Sequence, residues 1–443
     1  MTDVVDLLRT LIRNSCVNDG TVESGREARS VETLIEYLGR PGLIFEPAPG
    51  RQSLLYRIEG TDPEAPSLAL VPHLDVVPVD PAGWSVDPFS AEIIDGYVYG
   101  RGAVDMLNVT AAMTVAVRPY ITGEKAPRGD LVFAAVADEE AGGALGAKLL
   151  VEDRWEVVGA DYLLTEVAYP ALQIGDHRAV PVSIGEKGAY WSILETHGKP
   201  GHGSAPYGAD NALHKMISAL AGVIDAPAPA AVTEEWVRFV ENLGFDSATS
   251  SRLTDVDLLD EEIDRIAVED PALARYIHAA THLTISTNLM RAGSKTNIVA
   301  DRAQARLDVR GLPGMDRAFV DSHLRKAMGT GADQVDIRPV MDGDATISTV
   351  GTALWEAIAD GVEELDGHRN LAPTLMTVAT DARFWRARGT IGYGVGLFDD
   401  RMAFSEMLAL FHGHDERVST TSVERTTTLY ERVLERFYSG TDE

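Results

Sequence analysis

Three short apolar runs in the first third of the chain each end in side chains that bind metals or move protons. They are SLALVPHLD (67–75), LVFAAVADEE (131–140) and DYLLTEV (161–167). Continuous apolar runs of this length, each closing on polar residues, predict strands buried on both faces. Between the first two lies DMLNVTAAMTVAVR (105–118), a helix-like stretch, and after the second come Gly142-Gly143 and a helix from about Ala144 to Val151. Strands alternating with helices predict an α/β domain with a mostly parallel central sheet.

The texture changes near residue 181. VSIGEKGAYWSILETHG and QARLDVRG place apolar residues at every second position, the pattern of half-exposed antiparallel strands. Between them Ala212, Leu213, Met216, Ile217, Leu220 and Ile224 form a helical stripe. PAPAAVTEEW and the acidic stretch Thr254 to Asp270 read as an insertion that carries helices on the surface. After VDIRPVMDGD (335–344) the α/β texture returns, with a helix around 348–364 and a buried strand at IGYGVGLF (391–398). The expected architecture is an α/β domain from residues 1–180 and 342–443, interrupted by an α+β domain at 181–341.

Composition narrows the function. Against 39 Lys+Arg stand 68 Asp+Glu, a net charge of −29, which argues against nucleic acid and acidic membrane surfaces because both need a basic face. The lone Cys16 excludes an intrachain disulfide framework and a Cys-rich zinc module. No stretch reaches the roughly 18 apolar residues of a membrane span. The opening MTDVVDLLRTLIRNS lacks a basic start and sets Val4, Leu8, Leu11 and Ile12 at helical spacing, so it reads as a docked helix and not a signal peptide. A cytoplasmic protein is expected.

In open α/β sheets ligands bind beyond the carboxyl ends of the strands. The first run delivers His73 and Asp75 there, the second Glu139 and Glu140, the third Glu166. Asp105 follows the turn GRGAVD and can reach the same crevice; His412 and His414 come late in HGHDE. Nitrogen and oxygen donors without a thiolate suit zinc or another divalent ion in an open, catalytic site. Each piece alone has a plainer reading. His-x-Asp is often a turn feature, Glu139-Glu140 a solvated helix start, Asp105 an N-cap, Glu166 an edge carboxylate. Their convergence on one end of one sheet favours a metal site.

The ordered set HLDVVP (73–78), WSVDPFSAEIIDGYVYGRGAVDM (84–106), DEEAGG (138–143), PGHGSAP (200–206), TNIVADRAQARLDVR (296–310), TDARF (380–384) and HGHDE (412–416) resembles the co-catalytic zinc metallopeptidase family. That family includes aminoacylase, carboxypeptidase G and succinyl-diaminopimelate desuccinylase. The resemblance spans nearly the whole chain. It implies two zinc ions per subunit, with cobalt or manganese as substitutes. His73, Asp105 and Glu166 would hold one ion, Asp105 bridging to a second held by Glu140 and His412. His412 is chosen over His414 by its spacing to Asp415-Glu416 in similar sequences. Glu139 would be the general base and Asp75 would hydrogen-bond His73. The inserted domain would be a lid that also makes a homodimer, with His202 reaching the partner's active site. Lys187, Asn297 and Arg310 would hold the substrate's carboxylate or carbonyl end, and Thr380 and Arg383 would line the same pocket.

Two departures from the family pattern stand out. Leu107-Asn108 occupies a place where many relatives carry a lysine, and the segment 229–280 makes the lid longer than a minimal one. GYGVGLF lacks the Gly-rich turn into a helix that a dinucleotide site needs, and GHGSAP lacks the strand-to-helix elbow of a serine hydrolase. The resemblance implies a metal-dependent hydrolase that cleaves a peptide or N-acyl amide next to a free carboxylate in a small substrate. A carbamoyl-amino-acid hydrolase on the same fold and a catalytically silent dimeric scaffold are the competing expectations.

Overall fold

Successive residues of the apolar runs face two different cores, which is why the runs contain no polar breaks. Leu68, Leu70, Leu131, Phe133, Ala135 and Leu164 pack into one; Ala69, Val71, Val132, Ala134, Val136 and Leu163 pack into the other. The computed structural model describes residues 3–166 and 169–439. Val167, the last residue of the run DYLLTEV, lies outside them, as do Met1 and Thr2 of the opening segment.

The runs form the middle of a ten-stranded sheet. Its order is Leu43–Ala48, Arg51–Ile58, Leu131–Ala135, Leu68–Leu70, Tyr162–Thr165, Ile391–Gly394, His177–Glu186, Thr346–Ile347, with Leu371–Met376 and Leu172–Ile174 also pairing to His177–Glu186. The four strands from Leu131–Ala135 to Ile391–Gly394 run parallel, and antiparallel pairs flank them. The register aligns the strand ends, with Leu70 opposite both Phe133 and Leu164. The residues just beyond these three therefore emerge at one level and one end of the sheet.

One face is covered by helices Asp3–Arg13, Leu107–Ile121, Ala353–Asp366 and Thr420–Ser439. The last of these buries Leu429, Tyr430, Val433, Leu434 and Phe437, a stripe at helical spacing. The other face is covered by Ala147–Asp153, Trp155–Val158 and Ala382–Arg386. The helix expected from Ala144 starts three residues later, and the strand expected at 391–398 ends at Gly394.

A second, wholly antiparallel sheet contains Gly188–Ala189, Arg302–Gly311, Ser192–His197 and Val335–Pro339, with Thr284–Ala292 as an edge on Arg302–Gly311. Helices Ala212–Asp225 and Arg317–Met328 cover one of its faces through Met216, Leu220, Val320 and Leu324 against Leu194, Ala305 and Leu307. The two chain crossings between the sheets lie side by side. Ala189 and Gly343 exchange both backbone hydrogen bonds, at 2.8 and 3.1 Å.

Two expectations need correction. The boundary drawn at 180/181 falls inside His177–Glu186, a strand of the large sheet. The insertion, helices Glu234–Leu243, Ser247–Leu253, Leu259–Ala267 and Pro271–Thr281, packs into the core of the large sheet and does not extend the lid. Trp236, Phe239, Val240 and Leu243 supply its apolar stripe, and Tyr276 meets Phe404 edge-on at 5.6 Å.

Candidate metal centre

The parallel register carries His73 three residues beyond Leu70, Glu166 two beyond Leu164, and Glu139-Glu140 six and seven beyond Phe133. Asp138 adopts a left-handed conformation (φ 74°) and turns the chain, so that Glu139–Ala141 forms one turn of 3-10 helix across the strand ends. The Asp75 carboxylate holds that turn: Oδ1 accepts the Glu139 N–H and Oδ2 the Glu140 N–H, both at 3.2 Å. Its relation to His73 differs from expectation. The Nδ1 atom lies 3.0 Å from the backbone carbonyl of Asp75 and 3.7 Å from the carboxylate. The backbone oxygen is the better acceptor for Nδ1–H, and it leaves Nε2 free to face the crevice.

Asp105 lies between two histidines. His73 Nε2 is 3.3 Å from its Oδ1 and 3.7 Å from Glu166 Oε2. His412 Nε2 is 3.3 Å from its Oδ2 and 3.3 Å from Glu140 Oε2. Donors on a tetrahedron with bonds of about 2.0–2.1 Å stand about 3.3 Å apart, the spacing of His73 Nε2 from Asp105 and of His412 Nε2 from Asp105 and Glu140; the His73–Glu166 contact is longer. Donor atoms of His73, Glu139 and Glu166, and of His73, Asp105 and Glu140, also fall within 4.8 Å of one another. Glu140 Oε1 and Glu166 Oε1 are buried without a hydrogen-bond partner, as expected where a cation satisfies them. The residues therefore fit a pair of divalent ions. His414 packs elsewhere: a Cβ on Gly83 would lie 2.3 Å from its ring.

The electrostatics reflect how tightly charge is crowded here. Burial, reinforced by the Glu166 charge, pushes the Glu139 carboxyl well above its usual range. Burial and the Asp105 charge push Glu140 up to about 7. Burial also raises Glu166. Hydrogen bonds to Asp105 and Glu140 lift the His412 imidazole to about 10. Burial opposes ionisation of Asp105, yet the hydrogen bonds from His412 and His73 hold its carboxyl below the ordinary range. Carboxylates crowded in a low-dielectric site call for positive charge.

Several supporting residues were not legible in the sequence. Glu416 accepts from Val104 N at 2.8 Å and pairs with Arg101 at 2.7 Å. Arg101 also donates to the His412 carbonyl at 3.2 Å. Asp381 is buried beside the site with neither carboxylate oxygen hydrogen-bonded, and burial raises it to about 8. It faces Gly143, where a Cβ would come within 2.3 Å of Oδ1. No spacing rule marks such residues, because each acts through a fold contact far along the chain.

The residues expected to bind substrate divide. Thr380 is buried, its N–H donates to Glu186, and its Oγ1 has no partner. Arg383 ties that loop to the glutamate turn, donating to Thr380 O at 2.7 Å and Gly142 O at 2.8 Å. His202 and Asn297 are exposed on the small domain, joined through Gly203 N to Asn297 O at 2.8 Å. Arg310 lies over Trp191 and pairs with Asp308 at 2.6 Å. Lys187 does not match its expected role. Its Nζ donates to Ala279 O, His282 O and Thr284 Oγ1 at 2.9, 2.7 and 3.1 Å, leaving no donor for a substrate. Leu107 packs in the core, so the departure at that position does not face the metal ligands.

A mixed α/β sheet with a carboxylate-rich crevice at its strand ends, joined to a second, antiparallel sheet, is an arrangement suited to metal-dependent hydrolysis. Residues 69–436 match the model of peptidase family M20/M25/M40, and the chain belongs to that family. It is a metal-dependent enzyme of amide-bond hydrolysis. It is 27% identical to succinyl-diaminopimelate desuccinylase of Rhodospirillum centenum, over 99% of this chain and 98% of that one. It is also 27% identical to human aminoacylase-1, over 91% and 88%. Among solved structures it resembles a metallo-carboxypeptidase of Sulfolobus solfataricus, with a TM-score of 0.76 at 16% identity over 99% and 100% of the chains. Human carnosine dipeptidase 1 superposes with a TM-score of 0.71 at 16% identity over 99% and 96%.

Proposed function

We propose that the enzyme hydrolyses the amide of a dipeptide or N-acyl amino acid next to a free carboxylate, using two zinc ions. His73, Asp105 and Glu166 would hold one ion, and Asp105, Glu140 and His412 the other. The observation that carries this is the Asp105 carboxylate, with one oxygen 3.3 Å from each histidine. When bound there, divalent ions would lower the pKa of a water and polarise the substrate's carbonyl. Glu139 also lies within ligand reach of His73 and Glu166, but it is assigned the base: it takes the proton and passes it to the leaving nitrogen. Asp75 holds the turn bearing Glu139 and Glu140, and its carbonyl fixes the His73 tautomer. Thr380, with its free hydroxyl, frames the substrate's polar end together with Arg383, Asn297 and Arg310. The names of the aminoacylase and dipeptidase relatives support this substrate class.

A homodimer through the small domain is part of the proposal. The edge strand Thr284–Ala292 exposes Leu289 and Met290, and helix Ala212–Asp225 exposes Ile217 and Ile224. Such apolar groups on one small domain favour a partner surface, and pairing would bring His202 to the partner's crevice to steady the oxyanion. The opening segment docks as helix Asp3–Arg13 with Val4, Leu8, Leu11 and Ile12 buried, and among the described residues no helix is long and apolar enough to cross a membrane. Hydrolysis of a panel of N-acyl amino acids and dipeptides, read by amine release, tests the substrate class. Cleavage confined to substrates with a free carboxylate is expected, and equal cleavage of their amidated forms contradicts it.

A further inference from the structure

A second cluster of buried charge adjoins the glutamate turn and shares Asp75 with it. Arg51, Glu27, Asp138, Asn18 and Asp75 are all buried. Arg51 grips Glu27 through Nε at 2.9 Å and Nη2 at 2.9 Å, and the same Nη2 reaches Asp138 Oδ1 at 2.8 Å. Its Nη1 donates to Thr21 O at 3.2 Å. Asn18 Nδ2 joins the two aspartates, at 2.8 Å from Asp75 Oδ2 and 3.2 Å from Asp138 Oδ1. Asp138 Oδ2 accepts the Leu145 N–H at 2.8 Å. Gly25 closes the cradle, since a Cβ there would lie 2.4 Å from Glu27 Oε1 and 2.8 Å from Arg51 Nε.

The connection runs in one direction. Asp138 is the left-handed residue that starts the turn, and Asp75 accepts both N–H groups at its head. We infer that Arg51 is a positioning residue: through Asp138, which Asn18 links to Asp75, it sets the turn that aims Glu139 and Glu140 at one centre. This rests on the reading of those two glutamates as base and ligand. A guanidinium spans Glu27 and Asp138 at once because its donors are fixed in a planar fork. An ammonium at the same place keeps the charge and loses one of the two contacts. Residues that orient metal ligands from behind cost 10–100-fold in affinity or activity when changed.

The experiment compares Arg51→Lys, Asp138→Asn and their double variant with the parent, and takes Glu139→Gln as a control on the site. Cobalt(II) binding is followed by visible absorption and chelator competition, alongside kcat, KM and melting temperature on the best substrate of the panel. For Arg51→Lys the expected result is a normal melting curve, one cobalt held as in the parent and the second about tenfold weaker. At saturating metal, kcat falls about 10–100-fold and KM stays within about threefold. The double variant is no worse than the poorer single one, because both changes cut the same connection. Parental kcat and cobalt affinities in Arg51→Lys overturn the inference, as do losses that only track the folded fraction. If Arg51→Lys fails to fold, Asp138→Asn is read by the same criteria. Activity in Glu139→Gln would instead overturn the underlying reading of the site.

Discussion

Glu416 holds Asp105 from behind: its Oε1 accepts the Asp105 N–H at 3.2 Å while its Oε2 pairs with Arg101 at 2.7 Å. The backbone of the site's central residue is thus held by a buried glutamate from a segment more than 300 residues away, itself paired with the nearby Arg101. Removing one partner leaves an uncompensated buried charge. Glu416→Ala should lose about 3–5 kcal/mol of stability, measured by denaturant unfolding. Arg101→Met with Glu416→Leu should recover most of that stability without restoring metal affinity. Recovery of both would mean the pair does not position Asp105.

Glu139 has a different role from its neighbour. Glu139→Gln should retain metal, because the proposed ligands are intact, and lose about 10²–10⁴-fold in kcat. Glu140→Gln should lose metal as well. Elemental analysis of both variants beside their kinetics distinguishes the roles.

The proposed trans contribution of His202 is testable by complementation. Glu139→Gln and His202→Ala chains are each expected to be nearly inactive. Re-associated mixtures should regain part of the parental rate, since one site in the mixed dimer combines an intact base with an intact histidine. No recovery in mixtures shown to exchange subunits would contradict it.

The inserted helices belong to the large core, so their loss should be felt throughout it. Trp236 stacks on Phe239 at 5.2 Å, and its Nε1 donates to Leu253 O at 2.7 Å. Trp236→Ala should cost about 3–5 kcal/mol. A lid extension that melts on its own would instead leave the main unfolding transition in place.

On the small domain, the hydrogen bond from Arg302 holds the Glu195 carboxyl down at about 2, against an ordinary value of 4.5. The unfolded chain therefore takes up this proton first. The stability from Glu195 is complete above pH 4.5 and is lost as pH falls toward 2. In acid titrations Glu195→Gln should begin less stable and converge on the parent over that window. A constant gap would contradict the assignment.

The strand-end residues were legible because they follow apolar runs that only a doubly covered sheet accommodates. His73, Asp105, Glu139, Glu140, Glu166 and His412 lie around one crevice. What stayed hidden was contact-dependent. The family resemblance implies a substrate role for Lys187, and only packing shows its three acceptors. The stripe Trp236, Phe239, Val240, Leu243 reveals a helix, but no sequence signal names the core it joins. Arg51 and Glu416 act through partners tens to hundreds of residues away, beyond the reach of local spacing.

The most direct test is metal content joined to activity: elemental mass spectrometry of the purified protein, with hydrolysis of the substrate panel before and after chelation. Two zinc ions per chain are predicted, with cleavage abolished by the chelator and restored by zinc. Protein that binds no divalent ion, and cleaves no amide after zinc or cobalt is supplied, would contradict the two-metal site.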